Sequence, residues 1–148
     1  APSKGYLVLL QMRARLNWMG HNLDQAGYAE RAEADYARLL ALAPAAAKPA
    51  VQGEFGNFLA SSARMERAIP MLRAAYQAGH QESGRDLATA LLTQNKRSEA
   101  LPLLREYVRN FPQDQKGRAI LNAVEQGRVE THAVYPSHLQ RMPKQHRH

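Results

Sequence analysis

The feature that constrains this chain most is an internal spacing. Leu16, Met19, Gly20 and Leu23, followed by Gly27, Ala32, Tyr36, Leu39 and Pro44, return as Phe55, Gly56 and Leu59 with Ala63, Ala68, Leu72 and Ala75. They return again as Leu87, Ala88 and Leu91 with Asn95, Ala100, Leu104, Tyr107 and Pro112. The first two copies are offset by 36 residues and the last two by 32, the extra residues falling in the Ala- and Pro-rich connector 43–49. Self-similarity at a period of this size marks an architecture of stacked supersecondary units. Within each copy the apolar residues fall three and four apart, the face that a helix of 3.6 residues per turn buries. The segments 28–42, 67–78, 84–93 and 98–110 read as helices on this basis, and each is too short to be stable alone. They are therefore expected to pack on one another in an all-α fold.

Composition supports that reading. The chain of 148 residues carries 25 alanines, three phenylalanines and one tryptophan. Alanine is the best helix former and lets helices approach closely. Strand signals are missing: there is no Asn-Gly or Asp-Gly hairpin turn and no sustained alternation. No apolar run is long enough to span a membrane. Cysteine is absent, which excludes disulfides, thiol nucleophiles and Cys-ligated metals and leaves the redox compartment open.

The repeated positions resemble those of the tetratricopeptide repeat family, a helix-turn-helix unit of about 34 residues. Counted from Arg13, the first unit presents Leu16, Met19-Gly20, Leu23, Gly27, Ala32, Tyr36, Leu39 and Pro44 at the family's positions. The unit counted from Pro49 departs at Gln52 and His80, and the unit counted from Gln81 departs at Gly84. The resemblance covers roughly residues 13–126. It implies a right-handed α-solenoid of three units (13–48, 49–80, 81–112), closed by a capping helix within 113–126. Residues 1–12 are expected to extend the first helix. The remaining 127–148 form a basic, His-containing tail. In such arrays small residues mark close helix approaches, and neighbour contacts build one continuous core.

The resemblance also implies a function. In this family the first helix of each unit lines a concave surface, so the groove would present Asn17, Trp18, His21 and Asp24 from unit one and Glu54 and Asn57 from unit two. Arg85, Asp86 and Thr89 would follow from unit three, with Arg118 from the cap. Trp18 would be either an exposed aromatic anchor or a packing residue against the N-terminal extension. Family members that bind acidic chaperone C-termini need basic side chains where this chain has Glu82 and Asp86, which argues against that ligand. A basic or polar peptide fits better. The chain's own tail, through Tyr135, Arg141, Lys144 and Arg147, is one candidate, giving self-association or intramolecular docking.

Other chemistries find little support. No Gly-x-Ser-x-Gly elbow, phosphate-binding glycine loop or His-Glu-x-x-His helix is present, so no catalytic residues, cofactor or metal site are expected. Four of the six histidines lie beyond residue 128 without a carboxylate framework. The formal charge of +7 invites an anionic polymer as partner. The tail supplies much of that excess, and in the repeats the arginines interleave with Glu30, Glu33, Glu66, Glu99 and Glu106. That mixture argues against a nucleic-acid footprint. The expected role is a non-enzymatic interaction or assembly scaffold. The alternatives are an accessory domain of a larger enzyme or secretion machine, and polymer binding through the tail. The Ala- and Arg-rich composition suggests a bacterial source, and an Ala-Pro start is compatible with an exported or envelope-associated protein.

Overall fold

The computed structural model describes residues 2–22 and 27–127, with the side chains at 20–22 left aside. The described chain is all-α. Its helices are α1 (Lys4–Asn22), α2 (Tyr28–Leu42), α3 (Lys48–Ser61), α4 (Met65–Gln77), α5 (Ser83–Thr93), α6 (Arg97–Asn110) and α7 (Gln115–Glu125), with a 3-10 turn at Ala45–Ala47. The principal pairings are α1 with α2, α3 with α4 and α5 with α6, and each hairpin touches the next through α2–α3, α4–α5 and α6–α7. No described helix is long and apolar enough to cross a membrane.

The turns inside the hairpins repeat in detail. Gly27, Ala63 and Asn95 have φ of 82°, 66° and 60°, and they are the three residues that the repeat spacing places in equivalent positions. After α3 the Arg64 N–H donates to Leu59 O at 2.7 Å, and after α5 the Lys96 N–H donates to Leu91 O at 2.9 Å. This is the bond that closes a helix around a left-handed residue. One turn chemistry is thus used twice with the same register.

The helix contacts follow from side-chain size. Gly56 lies so close to α4 that an added Cβ would stand 2.6 Å from Leu72 Cγ. Ala68, Ala88 and Ala100 are fully buried at the other close approaches, and Leu72, Leu91 and Leu104 fill the spaces between helices. Ion pairs tie α2 to α4, α4 to α6 and α6 to α7. Glu33 of α2 meets Arg67 of α4, Arg73 of α4 meets Glu99 of α6 at 2.5 Å, and Arg105 of α6 meets Glu125 of α7 at 3.2 Å. Such exposed pairs contribute about 0–1 kcal/mol each. Their consequence is that these arginines do not form an unpaired basic stripe.

The first helix departs from the expected register. Leu16 and Met19, which the repeat spacing assigns to packing positions, are 62% and 61% exposed. The face turned to α2 carries Leu10, Ala14 and Asn17 instead. Two stripes compete on α1, and among the described residues it is packed from one side, on α2 and α3. Trp18 decides the contest: its ring meets Tyr36 and Phe58 edge-on with centroids 6.4 and 5.7 Å away. Arg13 adds a bidentate pair to Asp35 at 2.9 and 2.7 Å, and Asn17 donates to the same carboxylate at 3.1 Å.

Candidate functional site

A cleft of about 790 Å³ opens between α1, the end of α2, α3 and the start of α5. Leu7, Val8, Gln11 and Arg15 of α1 form one wall. Leu39, Ala43, Pro44 and Ala47 form the other, because the connector after α2 turns the chain away and exposes the end of the hairpin. Glu54 and Asn57 of α3, one helical turn apart, supply its polar floor with Asp86 of α5. The rim is made by His80 and Glu82, with the buried Ser83 beside His80. Gly53 permits this junction, since a Cβ there would lie 2.6 Å from Ser83 Oγ and 2.8 Å from the His80 ring.

The carboxylates of the floor differ in character. Glu54 accepts hydrogen bonds from Tyr36 Oη at 2.6 Å, Arg15 Nε and Nη2 at 2.9 and 2.8 Å, and Gln11 Nε2 at 3.2 Å. Burial alone would raise its pKa, but Arg15 and Tyr36 outweigh that and hold it below the ordinary glutamate range. Burial, with the same contact, raises the Tyr36 phenol well above its ordinary value. Glu54 is therefore a satisfied anion that anchors α1 to α3. Asp86 is held by an amide: Asn57 Nδ2 donates to Oδ2 at 3.0 Å. Its neighbour Arg85 turns to Asp114 at 2.8 Å. Desolvation raises the Asp86 pKa against the opposing pull of Arg85, Lys116 and the Asn57 bond. A carboxylate that has lost water without gaining a direct cation is the group in this cleft whose energy a cationic ligand would lower most.

One arrangement resembles a nucleophile beside a base. His80 Nδ1 and Ser83 Oγ are 2.7 Å apart, and Glu82 stands 3.8 Å from His80 Nε2. Ser83 is 1% exposed, however, and the backbone of Gly53 closes over its hydroxyl. The pair pins the start of α5 to the turn before it. Among the described residues no group of three or more His, Asp or Glu is placed to hold a metal.

The sequence-derived groove residues divide into several groups. Glu54, Asn57 and Asp86 come together in the cleft. Asn17 and Trp18 face α2 and α3, inside the N-terminal junction. Arg85 leaves the cleft for Asp114, Thr89 is buried with its hydroxyl on Asp86 O, and Arg118 is exposed against Pro112 O. The side chains of His21 and Asp24, and the tail residues Tyr135, Arg141, Lys144 and Arg147, lie outside the described set. Leu7, Gln11 and Arg15 were missed by the sequence reading. Their spacing of four along α1 was the available signal, masked by the stronger repeat pattern that begins at Arg13. Compared with known proteins, the chain matches no family model and no curated relative.

Proposed function

We propose that the chain is a tetratricopeptide-like α-solenoid that acts without catalysis, holding an extended peptide segment of a protein partner in the cleft between α1, α3 and α5. The observation that carries this reading is the pairing of aliphatic walls with the amide-held Asp86 at the floor. The recurring left-handed turns and the hairpin-to-hairpin contacts support the repeat architecture. Concave sites of this volume with few placed polar groups suit ligand side chains rather than a flat partner. The preferred ligand carries an aliphatic residue beside a Lys or Arg, which would lie against the Leu39 and Ala43 wall and against Asp86 respectively. The absence of an accessible nucleophile next to His80 favours binding over chemistry.

Selection of a random-peptide library on the intact chain tests this. Enriched peptides should pair a basic with an aliphatic residue and lose about tenfold in affinity, roughly 1.4 kcal/mol, on Asp86→Asn. No enrichment, or peptides that bind the variant equally, overturns the proposal.

A further inference from the structure

α1 presents a face that nothing in the described chain covers. Leu9, Met12, Leu16 and Met19 are 65%, 52%, 62% and 61% exposed, and Val8 and Tyr6 extend the patch at 48% and 38%. The first four fall at spacings of three, four and three, the a and d positions of a heptad. They form a narrow seam, distinct from the face buried against α2 and adjoining the cleft wall at Val8. A seam of this pattern is matched by another helix lying alongside it at a shallow angle, with side chains from each filling gaps in the other.

The residues that flank the seam indicate which helix. Arg13 and Arg15 stand at the bordering e and g positions, where charges ordinarily select the partner. Both are bound within the chain, Arg13 to Asp35 and Arg15 to Glu54, each through two hydrogen bonds of 2.7–2.9 Å. Their charges are neutralised on the spot, so they neither call for an acidic partner nor repel an identical helix. At these exposures the six side chains together leave on the order of 500 Å² accessible, the size of a functional patch on a monomer. Two copies face to face would bury about 1,000 Å², the size at which a specific interface begins. An isologous contact satisfies both surfaces at once and leaves no apolar face open.

We propose that the Leu9–Met12–Leu16–Met19 face of α1 pairs with the same face of a second copy, making the protein a two-fold dimer. Sedimentation of the intact chain at micromolar concentration should give twice the monomer mass of 16.6 kDa, with little dependence on salt. Leu16→Glu should weaken the dimer by about a hundredfold and leave the far-ultraviolet circular dichroism unchanged, since the side chain it replaces is mostly in water. Cysteine is absent from the chain, so introduced thiols report geometry cleanly. Under mild oxidation the dimer should cross-link through Leu16→Cys alone if the helices run parallel, or through a mixture of Met12→Cys and Leu16→Cys chains if antiparallel. A monomer at all concentrations, a dimer indifferent to Leu16→Glu, or failure of both cross-links overturns the proposal. Asp86→Asn should leave the dimer intact, which separates this result from the fate of the peptide site.

Discussion

A left-handed backbone brings the Cβ of an L-residue against its own chain, at a cost of roughly 1–2 kcal/mol. Gly27 avoids that cost in the first hairpin and Asn95 reduces it in the third, but Ala63 carries it at φ 66°. Ala63→Gly should therefore stabilise the protein by about 0.5–1 kcal/mol, the relief of strain exceeding the entropy that glycine adds to the unfolded chain. Urea denaturation checks the sign. Asp86 makes the opposite kind of residue argument, because its folded pKa lies above its ordinary value. Below about pH 4 the carboxyl is protonated in both folded and unfolded chains and costs nothing. As pH rises through the raised folded value the buried charge destabilises the fold, and above it the cost is complete. Asp86→Asn should then gain of order 1 kcal/mol at pH 7 and nothing at pH 3. A stability gain joined to lost peptide affinity is the signature of a group held in place for binding.

At the scale of helices, α7 shows how the start of a helix is held. Asp114 caps it, accepting from Lys116 N and Gly117 N at 3.1 and 3.2 Å, and also takes hydrogen bonds from Tyr107 Oη at 2.6 Å and Arg85 at 2.8 Å. Burial opposes its ionisation, but Tyr107, the Gly117 N–H and Arg85 prevail and lower its pKa. Burial and the Asp114 contact push the Tyr107 phenol to about 12. Asp114→Ala should cost about 2 kcal/mol at pH 7, at the upper end for a cap because Tyr107 and Arg85 lose their acceptor too. A lowered folded pKa gives stability that is present above the unfolded value and lost as pH falls through the folded one. The penalty should accordingly shrink below about pH 4, as thermal melts across pH would show. A helix within 113–126 was legible in the sequence from the repeat register, whereas the role of Asp114 at its start and its ties to α5 and α6 depend on which residues the turn at Phe111 brings together. Gly56 was legible from the same register: its small size is required by Leu72, and the two recur as Ala88 and Leu104. The roll of α1 was not legible, because Leu10, Ala14 and Asn17 make as regular a stripe as Leu9, Met12, Leu16 and Met19. The choice between them rests on Trp18, Tyr36 and Phe58, which are distant in sequence. The cleft inherits that split: its floor of Glu54, Asn57 and Asp86 follows from the repeat, and its α1 wall does not.

Across the whole molecule, the contacts run mainly between helices adjacent in sequence, so stability is a sum of hairpins and the interfaces between them. A defect should then be felt according to where it lies along the chain rather than everywhere at once. Leu72 is fully buried in α4, which packs on both α3 and α5, whereas Val124 is fully buried in α7, whose main contact is α6. Leu72→Ala should cost about 3 kcal/mol and raise amide exchange across α3, α4 and α5, because it weakens two interfaces. Val124→Ala removes less side chain and weakens one. Its exchange should rise in α7 and in the facing part of α6, with α1 to α3 keeping wild-type protection. The single tryptophan gives a second readout at the opposite end: Trp18 emission reports the junction with Tyr36 and Phe58, and its unfolding midpoint should stay unchanged in Val124→Ala. If exchange instead rises uniformly in both variants, the helices unfold as one cooperative core, and the additive description of this fold fails.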